Sequence, residues 1–395
     1  MEADSGSKED MVGIEEFLIE REKEHALRRL KPKDYTQEGK IYLDGRVYYD
    51  FSSNDYLGLA GHPRVKAEAK KIIEQLGSSA SASRLLSGDF KFYHLLEERV
   101  AQLVGKEKAL IFNSGYQANL GLISALCRRG DVIFLDRLSH ASIIDGVLLS
   151  GAKFFRFRHN DLSHLEFLLR KERRKFKNAL IVSESNFSMD GDQPDLNGLV
   201  QLKEKFNCWL MLDEAHSFGI FGENGAGMAE EEGLSSRVEI IMATFGKALG
   251  SFGAFVAGSS KLIEFLVNAS RSFIYSTALP PAVVASNLIA LSLLEEEPWR
   301  RKILLENSSF FREELRKKGL EVRGSTQIVP LVLGEIEKAI QLSQYLFEKG
   351  YWVFPIRYPT VPEKEARLRF SLSYHHSRNL LESLIAEISS FFDGS

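Results

Sequence analysis

Cysteine is almost absent: Cys127 and Cys208 are the only two in 395 residues. Each sits in an apolar segment, and two such residues cannot frame a disulfide-built fold. They are expected to be reduced core residues of a protein in a reducing compartment, the cytoplasm. Apolar runs of membrane-spanning length are missing as well, and the start, MEADSGSKED, is polar and acidic, unlike a secretory signal. Nor does one sign of charge dominate. Fifty-one basic against fifty-four acidic residues leave a formal charge of −3, which gives no reason to expect attraction to nucleic acid or membranes. The one basic run, RKERRKFK at 170–177, falls in an apparent helix with Leu162, Leu165, Leu168 and Leu169 on it. It reads as a solvated helix face rather than a polyanion site. Internal repeats and low-complexity segments are lacking too.

What is present is ordinary globular material, 44% hydrophobic and 27% charged, long enough for a large core and two domains. A helix over VGIEEFLIEREKEHALRRL precedes a hairpin, KIYLDGRVYYDFSS, whose Asp-Gly signals the turn. From residue 109 short β-rich runs alternate with helical stretches: ALIFN, VIFLD, KFFRFR, ALIVSE, CWLMLD, EIIMAT and AFVAG. Several are apolar without alternation, as strands covered on both faces should be. The pattern predicts an α/β fold with a large, mainly parallel sheet. Past residue 280 two long helical stretches lead into strands near IVPLVL, YWVFPI and RLRFSLS, and a last helix begins near Ser377. The expected division is an N-terminal helix and hairpin at 1–50, a large domain at 51–285 and a smaller α+β domain at 286–395.

Residues 243–255, ATFGKALGSFGAF, place Lys247 among glycines and small apolar residues. A lysine so placed can be desolvated into a nucleophilic amine; this stretch alone leaves an exposed turn equally open. In open α/β sheets ligands bind beyond the carboxyl ends of strands. Four predicted strand ends carry polar residues: Ser114-Gly115-Tyr116, His140, Asp213 with His216, and Thr244 with Lys247. Four at equivalent positions favour a shared site. A nucleotide-binding P-loop on GKALG is excluded, because no Ser or Thr follows the lysine and the upstream glycine spacing is absent.

Taken in order, SSNDYLGLAGHP, SRLLSGD, FNSGYQAN, SHASIIDG, FSMDGD, LDEAHSFG, TFGKALGSFG, FIYSTALPP and YPTVP…ARLR resemble the α-oxoamine synthases. These are fold-type I (aspartate aminotransferase-like) enzymes that use pyridoxal 5′-phosphate (PLP). The resemblance spans residues 26 to 376. It implies that Lys247 holds the cofactor and moves the substrate's α-proton, and that Asp213 keeps the pyridine nitrogen protonated. His140 would stack on the ring; His216 and Ser188 would meet its oxygen-bearing edge. Ser114, Gly115 and Tyr116, at a strand-to-helix junction, would bind the phosphate through free N–H groups, helped by Thr244. Ser276 and Thr277 would reach the phosphate from a neighbouring subunit, making a homodimer with shared sites.

For the substrates, the resemblance implies that Arg369 grips the amino acid's carboxylate, a task suited to a guanidinium, with Asn54 close by. Thr360 would be a substrate contact and Arg28 an acyl-substrate contact; Arg367 is read as structural. The reaction implied is decarboxylative condensation of an amino acid with an acyl-CoA or acyl-carrier-protein thioester. FPIRYPTVP, with its Arg357, is similar to the branch that joins alanine to a pimeloyl thioester in biotin synthesis; members using glycine or serine are the alternatives. Non-catalytic subunits on this scaffold lack the lysine that is present here. One departure is Tyr374-His375 in SLSYHHS, where that branch has two small residues, so bulk in the acyl pocket is an expectation. No metal is expected: adjacent strand residues such as His375 and His376 point apart, and no third ligand is evident.

Overall fold

The computed structural model describes residues 13–394; the acidic start lies outside them. The first helix, α1 (Ile14–Lys23), is shorter than its sequence pattern. His25 has a left-handed φ of 53°, which a helix interior does not accept, and the chain runs on irregularly to residue 34. Three strands follow, β1 (Tyr35–Gln37), β2 (Lys40–Leu43) and β3 (Arg46–Asp50), then helices α2 (Pro63–Leu76) and α3 (Lys91–Leu103).

The central layer is a seven-stranded sheet built from β4 (Lys108–Phe112), β5 (Val132–Asp136), β6 (Lys153–Phe157), β7 (Ala179–Glu184), β8 (Trp209–Asp213), β9 (Ile240–Thr244) and β10 (Ala254–Gly258). Their spatial order is β4-β10-β9-β8-β7-β5-β6. Neighbours are parallel except β10, which is antiparallel to both β4 and β9. The exception follows from chain length. Residues 245–253 are too few for the crossover a parallel neighbour needs, so the chain turns straight back, and Lys247 lies in that turn. Gly250 and Gly253 serve it with φ of 60° and 100°.

Both faces of the sheet are buried. Phe134, Ile181, Leu212 and Ala243 face one apolar core; Leu135, Val182, Met211 and Met242 face another. This is the alternation a doubly covered strand requires. Helices α4 (Gly115–Leu126) and α5 (Ala141–Ser150) start just beyond β4 and β5.

A smaller antiparallel sheet, β11 (Ile328–Gly334), β13 (Pro355–Ile356) and β14 (Ala366–Ser371), is ordered β11-β14-β13. The last helix, Arg378–Asp393, is capped by Ser377, which accepts from the Leu380 N–H. Between them β12 (Tyr351–Trp352) pairs in parallel with β3, so the N-terminal hairpin is stitched to the C-terminal part of the chain. Among the described residues no helix is long and apolar enough to cross a membrane, and both cysteines are free and buried.

Candidate active site

The carboxyl ends of β4, β5, β7, β8 and β9 lie along one edge of the large sheet, and the polar residues of the sequence converge there. Asp213 ends β8, buried. Its Oδ1 accepts from the Ala215 N–H at 2.9 Å and its Oδ2 from Asn119 Nδ2 at 3.0 Å. Asn119 sits on the buried side of α4, and its own Oδ1 has no partner. Directly across the ladder from Asp213 is Glu184, the last residue of β7. Glu184 accepts the His140 backbone N–H at 2.6 Å. Burial, and then the Asp213 charge, raise its carboxyl to about 8.

Lys247 faces this pair. Burial lowers its amine to about 8, while Asp213 and Glu184 pull the other way and Arg369 adds to the lowering. Its Nζ makes no hydrogen bond or ion pair with any described residue, while its backbone carbonyl accepts from the Gly250 N–H at 2.9 Å. His140 caps α5, its Nδ1 2.7 Å from Ser142 Oγ. Desolvation holds its pKa below the ordinary value against the pull of Asp213, and Lys247 lowers it further. His216 is buried with its pKa well down, chiefly from desolvation, so its ring is neutral. Its Nδ1 is 2.8 Å from the Tyr56 hydroxyl, and its backbone carbonyl accepts from Gln327 Nε2 at 2.8 Å and Asn186 Nδ2 at 3.1 Å.

Ser114 Oγ caps α4 by accepting from the Gln117 N–H at 3.2 Å. A methyl placed on Gly115 would lie 4.0 Å from Thr244 Cβ, so the first turn of α4 and Thr244 share one space. The Thr244 hydroxyl donates to the Gly253 carbonyl and accepts from the Gly246 N–H, both at 3.0 Å; in this structure it closes the turn. The Tyr116 hydroxyl binds Asp145.

Arg369, buried on β14, is held by neutral groups only. Its Nε donates to the Ser188 carbonyl and one NH to Ser371 Oγ. Asn54 Oδ1 and the Tyr56 hydroxyl each stand 3.4 Å from its other NH. No carboxylate among the described residues pairs with it. Ser188 thus contributes its carbonyl to Arg369. Arg28 and Thr360 are elsewhere: they line a cavity of about 420 Å³ with Arg357. Arg357 donates to the Leu27 carbonyl at 3.1 Å, but its buried Nε has no partner. Ser276 donates to the Ser272 carbonyl and the Thr277 carbonyl accepts from Asn113; neither is hydrogen-bonded to the Lys247 cluster.

The donor set fits pyridoxal 5′-phosphate. Asp213 can face a protonated ring nitrogen, unpaired Lys247 an aldehyde, neutral His216 a phenolic oxygen, and the α4 N-terminus a phosphate. The orphaned Asn119 oxygen beside Asp213 marks polar space left for a donor.

The sequence profile of aminotransferase class I and II matches residues 46–388. The chain belongs to that family. Among its curated relatives, the 8-amino-7-oxononanoate synthase of Geobacter sulfurreducens is 46% identical over 362 residues, 91% of this chain and 92% of that one. A serine palmitoyltransferase from S. paucimobilis, solved with bound PLP and myriocin, superposes with a TM-score of 0.90 at 29% identity, covering 95% of this chain and 96% of that one. The 8-amino-7-oxononanoate synthase of Francisella tularensis gives 0.77 at 32% identity over 88% and 98%. This aminotransferase-family chain is therefore a PLP-dependent enzyme of fold type I, similar to these synthases.

Sequence reasoning passed over three residues that the fold brings into the family site. Glu184 ends an apolar run, ALIVSE, with the same signal that singled out Asp213. Asn119 and Tyr56 lie inside motifs that were recognised, yet nothing in the string says that their side chains point inward.

Proposed function

We propose that the chain joins L-alanine to a pimeloyl thioester, giving 8-amino-7-oxononanoate, carbon dioxide and the free thiol. The bond balance is simple. A carbon–carbon bond forms between the amino acid's α-carbon and the acyl carbonyl carbon; the carbon–sulfur bond and the bond to the original carboxylate break. When bound, the cofactor supplies a protonated ring that accepts the electron pair left at the α-carbon.

The protein's residues do the rest by holding and moving protons. Arg369 and Asn54 bind the amino acid's carboxylate, and Lys247, with its lowered pKa, takes the α-proton. Asp213 keeps the ring nitrogen protonated and His140 covers one face. His216, fixed by Tyr56, Asn186 and Gln327, meets the ring's oxygen; Ser188 stands at the same edge. Gly115, Tyr116 and Thr244 receive the phosphate.

The observation that carries this reading is Arg369, a buried guanidinium with no carboxylate of its own. Such a group is costly unless a ligand supplies the missing charge. The choice of acyl group rests on Arg28 and Arg357. They line one cavity, together with Arg29 and Lys31, and the unpaired Arg357 Nε suits an acyl chain that ends in a carboxylate, as pimeloyl does and palmitoyl does not.

A homodimer fits the surface. Residues 82–89 and 275–278 meet through the Ala278 N–H and the Ala82 carbonyl at 3.0 Å. Together they expose Leu86 at 82% and Tyr275 at 71%, next to exposed Thr277. An apolar patch of this kind is what a second copy covers, and it would carry Ser276 and Thr277 to the partner's phosphate site.

The test is to offer the PLP-loaded protein alanine, glycine and serine, each with pimeloyl-, acetyl-, succinyl- and palmitoyl-coenzyme A. Product masses are then read. Condensation of alanine with the pimeloyl thioester is expected; a glycine product with none from alanine rejects the assignment.

A further inference from the structure

Tyr56 lies in the loop between β3 and α2, wholly buried, and its hydroxyl touches both halves of the site. On one side it is 2.8 Å from His216 Nδ1. On the other it is 3.1 Å from Asn54 Oδ1 and receives an Arg369 N–H at 3.4 Å. Gln327 adds a second side-chain hydrogen bond that, like the guanidinium, favours negative charge on the phenol oxygen.

A phenol hydroxyl has one proton to give and a small capacity to accept. Arg369 and Gln327 fill that capacity, since guanidinium and amide N–H groups can only donate. The contact to His216 therefore runs one way: the Tyr56 O–H donates and Nδ1 accepts. Among the described residues the other acceptor in reach is Asn54 Oδ1, which is farther away and already takes an Arg369 N–H at 3.4 Å. Nδ1 has no other donor among them, and leaving a buried ring nitrogen unmatched is costly. His216 is also uncharged: desolvation disfavours a proton on it, and Lys247, Arg369 and His140 act in the same direction. A neutral imidazole whose Nδ1 accepts carries its proton on Nε2, which has no partner among the described residues.

We propose that Tyr56 is a positioning residue that fixes His216 as the Nε2–H tautomer, so that a hydrogen-bond donor rather than a bare lone pair faces the cofactor's phenolic oxygen. The opposite tautomer would set two electron-rich atoms against each other. The assignment rests on the PLP reading of the site and adds to it the place of one proton. Phenylalanine would fill the same volume yet leave either nitrogen of His216 free to hold that proton. Because the same hydroxyl receives Arg369, the residue that grips the amino acid's carboxylate and the residue that meets the ring's oxygen share one hydrogen-bond partner.

Nitrogen-15 spectra of the cofactor-free protein, labelled at histidine, read the tautomer directly, with the His216 signals identified by their loss in His216→Gln. In the parent, Nδ1 should be the unprotonated nitrogen and Nε2 the protonated one. In Tyr56→Phe the proton should spread over both nitrogens. A parent His216 protonated at Nδ1 overturns the proposal whether or not the variant folds. The PLP-loaded proteins give a second readout. An N–H donor favours the ionised form of a phenolic oxygen, so the pH at which the visible absorbance titrates should rise in Tyr56→Phe by about one unit, the scale of one hydrogen bond to a charged acceptor. A hydroxyl that only packs would lower the melting temperature and leave tautomer and titration as in the parent, and that result also overturns the proposal. The tautomer is read without cofactor or substrate, so failure here leaves the PLP and acyl-substrate assignments standing.

Discussion

Arg367 and Arg369 are two residues apart on β14, both buried, and both reach the 188–190 loop, yet only one is neutralised. Arg367 pairs with Asp190 at 2.6 Å and Glu365 at 2.7 Å, whereas Arg369 meets only a carbonyl, two hydroxyls and an amide oxygen. Spacing by two puts both on one face of the strand, so their difference lies in partners rather than direction.

The two should separate on substitution. Arg367→Ala leaves Asp190 without its buried partner and should cost about 3 kcal/mol of stability, the scale for breaking a buried pair. Arg369→Lys keeps the charge but loses the fork. It should raise KM for the amino acid by about tenfold to a hundredfold with little change in melting temperature. Denaturant melts and amino-acid titrations of both variants check this; equal losses of stability would mean that Arg369 is structural too.

Lys247 and Glu184 are tied electrostatically, and the sign of the tie can be measured. The Glu184 carboxylate stabilises the Lys247 ammonium, so Glu184→Gln should lower the lysine's pKa further below about 8. The neutral amine is the reactive form. Uptake of PLP by the cofactor-free variant should therefore reach its plateau at lower pH than in the parent, followed by absorbance in a pH series. Lys247→Ala should abolish turnover and leave no label on that peptide after borohydride reduction of the PLP-loaded protein.

How much of this was legible beforehand depends on whether the determinant is local. The strand ends were, because apolar runs stopping at Asp213 and Thr244 carry their own punctuation. The direction of β10 was not read: each strand looks alike in isolation, and only the short 245–253 link forces the reversal. The early end of α1 rests on His25 entering the left-handed region, which residue type does not announce. Tyr374 and His375 were placed by bulk alone in the acyl pocket, but the turn after β14 aims them at Gly39, Gly58 and Arg300. Glu184 needed the register of β7 against β8 before its closeness to Asp213 could be seen.

His159 bolts the loop that supplies the Ser188 carbonyl. Its ring lies between Asp136 at 2.9 Å and Asp192 at 2.8 Å. The two carboxylates outweigh desolvation and raise it to about 10. A pKa raised in the folded state stabilises fully below the unfolded value of about 6.5, and the benefit is lost as pH climbs towards 10. Stability should therefore decline between about pH 7 and 10 by an amount on the order of 2–4 kcal/mol. His159→Asn should be less stable at pH 7 and much flatter over that range. Urea midpoints at half-unit pH steps measure this, and parallel curves for parent and variant would refute the role.

Arg28 and Arg357 make the acyl specificity testable by charge alone. The guanidinium of Arg28 depresses the Arg357 pKa beyond what burial does, so each cation makes the other's position less favourable until an anion arrives. An acyl chain ending in a carboxylate relieves that repulsion; a methyl-terminated chain leaves it in place and adds burial of an apolar end against two charges. Replacing either arginine by methionine keeps stem length and removes charge. Arg357→Met should raise KM for pimeloyl-coenzyme A by about tenfold to a hundredfold, the loss expected for one partner of a desolvated charge contact. The same change should improve use of octanoyl-coenzyme A, and the double variant should invert the preference. Competition between the two thioesters, read as a product ratio, isolates this from any general loss of activity. A ratio that does not move would place the acyl terminus outside this cavity.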